Sequence, residues 1–225
     1  MKNIMFRISI LGIPTEMNLS FFLLVAIMYF TGNGFLALYS ALFSVLHELV
    51  HGIVARRLGY TPDTISTCLF GGIISLKEGY VLPYDELIIY LAGPLFNLAM
   101  AMLSYWILMF FPFLWLEKVL FANLILALFN LMPLYPLDGG KVINLYLSHF
   151  FGHGKSYTIS NFFSTLFSIF LFFLGLYLVQ YNVMNIFVSA LAVNLFIIGR
   201  ADSRFSFNRL MGVYRDLEKE NKTWY

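Results

Sequence analysis

The residues best equipped for chemistry form one short run, His47-Glu48-Leu49-Val50-His51. On a helix, positions four apart share a face, so both imidazoles can reach one tetrahedral zinc. The glutamate between them then lies near the fourth, water-occupied position. A bound zinc lowers the pKa of its water to about 7, and Glu48 can take the released proton and pass it to a leaving amide nitrogen. In a soluble chain such a pattern competes with chance. Here it continues without a gap from the apolar stretch Phe35 to Leu46. Ionisable groups inside a membrane span are costly, and three in one turn point to a functional role.

Two histidines need a third ligand, and Asp138 is the candidate. It follows Asn130-Leu-Met-Pro133-Leu-Tyr-Pro136-Leu137 and precedes Gly139-Gly140. These prolines and glycines predict unwound backbone at Asp138, which at membrane depth survives only against protein or a water-filled cavity. The competing reading is a carboxylate at a cytoplasmic helix end, near Lys141. His149 and His153 are also four apart, but Gly152 and Gly154 predict an interfacial loop there, and no carboxylate lies nearby. Cys68, the single cysteine, reads as a small apolar residue in a hairpin, and no intramolecular disulfide can form.

The elements that must carry these residues are membrane spans. Of 225 residues, 60% are hydrophobic and 12% charged, whereas a soluble domain carries about 25% charged residues. Six apolar runs are predicted as spans. They cover Met17 to Phe30, Phe35 to about Arg57, and about Leu87 to Phe111. The rest cover about Lys118 to Leu131, Asn161 to Val179, and Met184 to Ile198, with a turn at Asn182 before the last. With this layout thirteen of the fourteen lysines and arginines fall on one side, which puts both termini in the cytoplasm. No soluble basic face suggests nucleic acid as a partner. Residues 1–199 then form the six-span domain and 200–225 a basic tail, either a membrane-surface helix or a solvated segment.

Two stretches do not read as spans. Phe6 to Ile13 alternates roughly and is bounded by Pro14, and Thr64 to Leu76 is β-branched around Gly71-Gly72, a hairpin signal. Together they predict a small membrane-associated sheet in an otherwise all-α membrane protein.

HELVH in an early span with NLMPLYPLDGG in a later one resembles the site-2 protease family of intramembrane zinc metalloproteases. Phe70-Gly71-Gly72 and Ala92-Gly93-Pro94-Leu95-Phe96-Asn97 match further. The resemblance runs from about Leu11 to about Ile198. It implies one zinc per chain on His47, His51 and Asp138, with Glu48 as base and Asn130 near the site. It also implies a membrane-dipping hairpin at Thr64 to Leu76. Gly71, Gly72 and Asn97 are expected to bind substrate or support the site, Asn97 and Asn123 being equally readable as helix-packing residues. The compact plan is similar to the subgroup of the stage IV sporulation protease, which activates a membrane-tethered sigma-factor precursor. That protease carries a CBS domain, and this chain ends about 26 residues after its last predicted span. The expected partners are a transmembrane or membrane-associated substrate, lipid and an inhibitory membrane protein, and the expected location is a bacterial inner membrane. Two rival functions are a catalytically silent relative that holds its partner and a transporter. No inverted repeat supports the transporter.

Overall fold

The computed structural model describes residues 4–18, 22, 34–68, 71–77, 81–181, 186, 188–197 and 199–200. They fall into two compact units, residues 1–78 with 84–131 and residues 79–83 with 132–225.

The first unit holds a four-stranded sheet in the order β1 (Ile4–Ile10), β2 (Ile13–Asn18), β3 (Pro62–Cys68), β4 (Gly71–Leu76). Both hairpins are antiparallel, and β2 and β3 pair in parallel. Leu11 and Gly12 both take positive φ (54° and 74°), the two-residue turn that matches strand twist. Pro14 therefore does not close the strand region as expected. It lies inside β2 opposite Ser9, just before pairing with β3 begins at Thr15, so its missing N–H costs no ladder bond to β3. Met17 and Asn18 belong to β2, so the first predicted span cannot begin there; its remainder, apart from Phe22, lies outside the described residues. Gly71 and Gly72 are not turn residues either. They pair with Cys68 and Thr67 inside the ladder.

Three helices complete this unit: α1 (Gly34–Arg57), α2 (Pro83–Phe110) and α3 (Leu114–Asn130). α3 starts four residues earlier than predicted. α1 meets the sheet through Leu49 against Ile13 and Ile65, and meets α3 through Phe43 against Leu116 and Val119. At its C-terminal end the Arg56 guanidinium donates to the carbonyls of Leu11 (2.9 Å) and Gly12 (3.3 Å), fastening the helix to the β1–β2 turn. The Tyr60 hydroxyl donates to Asp85 in the first turn of α2 (2.6 Å).

In the second unit, irregular backbone containing a cis Tyr135–Pro136 bond leads into α4 (Asp138–Leu178). The unwound stretch ends one residue earlier than predicted, for Asp138 is the first residue of this helix and Leu137 its extended N-cap. Gly152 (φ 75°, ψ 158°) kinks α4. The predicted interfacial loop at His149 to Gly154 is therefore helix on both sides of one glycine, because a single left-handed residue absorbs the whole change of direction. α5 (Val188–Ile197) covers ten residues of the sixth predicted span. Asn182 and the tail from 201 lie outside the described residues.

Burial is inverted relative to a soluble protein. α2 buries Gly93, Pro94, Asn97, Ala101 and Ser104, while Met102, Leu103, Trp106, Met109 and Phe110 are exposed. α4 repeats the pattern, with Ser156, Ser160, Ser164, Ser168 and Gly175 inside and Phe162, Phe163, Phe170 and Phe173 outside. Small and polar residues within and large apolar ones without is the arrangement lipid favours, since helices in hydrocarbon associate by close packing and hydrogen bonds. Among the described residues α1, α2 and α4 are long and apolar enough to cross a membrane. The chain is an integral membrane protein.

Candidate metal centre

His47, Glu48 and His51 are all buried in α1. One helical turn brings the two imidazoles edge to face, with ring centroids 4.7 Å apart at 84° and Nε2 atoms 3.1 Å apart. His51 Nδ1 lies 2.5 Å from the carbonyl oxygen of Ile89 on α2. A carbonyl only accepts, so Nδ1 carries the proton and Nε2 is left as a lone pair facing His47. Metal-binding histidines are commonly oriented in this way by a backbone carbonyl. Two imidazole nitrogens on one tetrahedral zinc stand about 3.3 Å apart, given Zn–N distances of about 2.0–2.1 Å. The observed 3.1 Å fits such a site.

Gly93 lets α2 approach this pair. A Cβ there would stand 2.4 Å from His51 Nε2 and 2.6 Å from His47 Nε2. The residue was legible as part of the Ala92-to-Asn97 motif, but not its contact with the histidines, which needs two helices to be seen together.

Asp138 is also buried, at 7% exposure. Lys141 Nζ lies 4.0 Å from its Oδ1, so the helix-end ion pair foreseen as the competing reading exists, although at the outer limit of such contacts. Asp138 offers a carboxylate oxygen from the first turn of α4, as His47 and His51 offer ring nitrogens from α1. Two nitrogens, one carboxylate oxygen and a position left for water form a donor set suited to zinc. His149 and His153 form no such group with a third ligand among the described residues.

The remaining expected residues are distributed more widely. Asn130 is the last residue of α3, and its Nδ2 donates to the Leu126 carbonyl (3.0 Å). Asn97 lies one turn beyond Gly93 on α2, fully buried, with neither amide atom hydrogen-bonded among the described residues. Asn123 is buried and donates to the Val119 carbonyl of its own helix (2.9 Å), a bond that belongs to neither of its two expected roles. Gly71 and Gly72 lie in the sheet, at the start of β4.

The chain is similar to known proteins in sequence and in fold. The model of Peptidase family M50 matches residues 34–122 and 112–174. A zinc metalloprotease of Methanocaldococcus jannaschii is 32% identical over 171 residues, covering 67% of this chain and 48% of that protein. Stage IV sporulation protein FB of Bacillus subtilis is 28% identical over 207 residues, covering 88% and 71%. The solved site-2 protease from Methanocaldococcus jannaschii superposes with a TM-score of 0.71 at 26% identity, over 88% of this chain and 94% of that one. The chain spans less than half the length of the first curated relatives it matches, 48% of the archaeal zinc metalloprotease and 28% of a relative from Mycobacterium tuberculosis.

Proposed function

Because the chain belongs to Peptidase family M50, we propose that it is an intramembrane zinc metalloendopeptidase cleaving transmembrane or membrane-associated segments of other proteins. His47, His51 and Asp138 are its ligands and Glu48 its base. The observation that carries this reading is the buried, edge-to-face pair of His47 and His51 with Glu48 buried on the same turn, in a protein whose outer faces are apolar. Each named relative in the comparison supports it at family level.

When bound, zinc polarises the scissile carbonyl and acidifies the attacking water. Glu48 accepts the proton as the water oxygen bonds to the carbonyl carbon. It then delivers that proton to the amide nitrogen as the C–N bond breaks, which leaves a carboxylic acid and an amine. Asn130 spends one Nδ2 hydrogen on Leu126. An amide nitrogen has two, and the second can hold the substrate carbonyl. Asn97, buried one turn beyond Gly93, is placed to support the face of α2 that meets the histidines. Gly71 and Gly72 open β4, an edge of the described sheet. Such an edge can take up an unwound substrate segment as an added strand. Proline replacements on β4 at N–H groups directed away from β3 are expected to slow cleavage; unchanged cleavage would sink the strand-addition idea.

The charge pattern supports six spans with both termini cytoplasmic, in a bacterial inner membrane. Substrates then include a membrane-tethered sigma-factor precursor, and partners include lipid and an inhibitory membrane protein. The reading is tested by purifying the chain, measuring zinc, and following cleavage of a panel of membrane-tethered proteins with and without a chelator. About one zinc per chain, with cleavage lost to the chelator and restored by zinc, supports it. Chelator-insensitive cleavage, or a protein that never holds zinc, overturns it.

A further inference from the structure

Serines recur every fourth position in the second arm of α4, at 156, 160, 164 and 168, and all four are buried. A repeat of four keeps them near one face of a helix. In lipid such a stripe normally means close helix packing, and its far end behaves that way. A Cβ on Gly175 would meet the Ser189 side chain at 2.4 Å, and the Ser189 hydroxyl donates to the Phe172 carbonyl (2.9 Å).

The middle of the stripe does something different. Ser164 Oγ accepts the backbone N–H of Tyr135 at 2.9 Å, across 29 residues. Ser160 Oγ donates to Asn144 Oδ1 at 3.3 Å, across 16. Tyr135 lies three residues before Asp138, and Asn144 lies six residues after it. Two neighbouring serines thus hold the backbone before the aspartate and the side chain of a residue after it on α4. The kink at Gly152 permits this by turning the second arm of α4 back toward the first. Tyr135 is confined further from the other side, because a Cβ on Gly140 would meet the Leu134 carbonyl oxygen at 2.4 Å and one on Gly199 would meet the Tyr135 carbonyl oxygen at 2.4 Å. The segment has no helix or sheet of its own to fix it. Its N–H at Tyr135 must find a partner because there is no water to supply one in hydrocarbon, and Ser164 is that partner.

We propose that Ser164 and Ser160 are positioning residues for the Asp138 carboxylate, acting through Tyr135 and Asn144, so that zinc affinity depends on two hydroxyls that never touch the metal. The proposal rests on Asp138 being a ligand. Loss of an orienting partner of a metal ligand weakens metal affinity by about 10- to 100-fold.

The test uses the full chain in detergent. Zinc affinity is read by chelator competition, ligand geometry by the visible spectrum of the cobalt-substituted protein, and fold by the thermal midpoint of the metal-free protein. Ser164→Ala is expected to weaken zinc about 10-fold and to alter the cobalt spectrum, and Ser160→Ala to do so less. Ser164→Thr, which keeps the acceptor, is expected to restore both. Ser168→Ala, on the same stripe but without a bond to this segment among the described residues, is expected to match wild type. Wild-type zinc affinity in both Ser164→Ala and Ser160→Ala overturns the proposal. So does equal weakening in Ser168→Ala, which would mean that packing alone matters. If Ser164→Ala does not accumulate, the contrast between Ser160→Ala and Ser168→Ala decides in the same way. Asp138→Asn separates the two levels: if it retains wild-type zinc affinity, the ligand assignment itself falls. If it loses zinc while the serine variants do not, only the positioning claim falls.

Discussion

On α1 the two histidines are placed by a regular helix that would form in much the same way wherever it was buried. Its backbone hydrogen bonds are local, each within one turn, and the four-residue spacing alone brings both rings to one face. Around Asp138 the means are different. The preceding residues have no regular structure, and their position depends on Ser164, on the tight approach of Gly140 and Gly199, and on a helix reversed by Gly152. One region is positioned by local periodicity and the other by contacts distant in sequence. The contrast teaches where each is fragile. The histidine region is sensitive to whatever presses on its side chains, and the aspartate region to whatever displaces its backbone.

That contrast can be broken by two small additions. The largest effect is expected from Gly93→Ala, whose methyl would overlap both imidazoles. Rings can rotate away more cheaply than a backbone can shift. Zinc affinity should therefore fall by about 100-fold or more, with little change in the thermal midpoint of the metal-free protein. A smaller loss of zinc is expected from Gly140→Ala, about 10- to 100-fold. Its methyl meets backbone, 2.3 Å from the Leu134 carbonyl carbon, so the midpoint should fall as well. Parallel measurement of chelator competition and thermal unfolding checks both. If Gly93→Ala lowers stability as much as affinity, or Gly140→Ala leaves stability untouched, the distinction between the two regions is wrong. The serine variants sharpen the same comparison at the lower end of the scale.

Legibility in the sequence follows the same division. His47, Glu48 and His51 could be read from five adjacent letters because a helix converts spacing directly into geometry. Asp138 could be singled out because ionisable residues are scarce in an apolar chain, but not the one-residue difference that makes it open α4. Pro14 was misjudged because whether a proline interrupts a ladder depends on how far the neighbouring strand extends, and β3 stops pairing at Thr15. Gly71-Gly72 looked like a turn since glycine is permissive there, yet register with Cys68 places the pair within β4. Leu11 at positive φ carries no compositional signal, for leucine is not a residue that favours that region. The serine period of four was visible along α4. Its partners were not, because they lie 16 and 29 residues away. Gly93 was visible as part of a motif, while its function depends on a second helix.

The central claim is that Glu48 moves the proton at a metal site that its neighbours hold. The most direct measurement compares wild type with Glu48→Gln for zinc content and for cleavage of a membrane-tethered substrate panel. The account predicts that the variant keeps about one zinc per chain and loses cleavage, since glutamine preserves size and hydrogen bonding but cannot accept the proton. Cleavage at the wild-type rate by Glu48→Gln would contradict it.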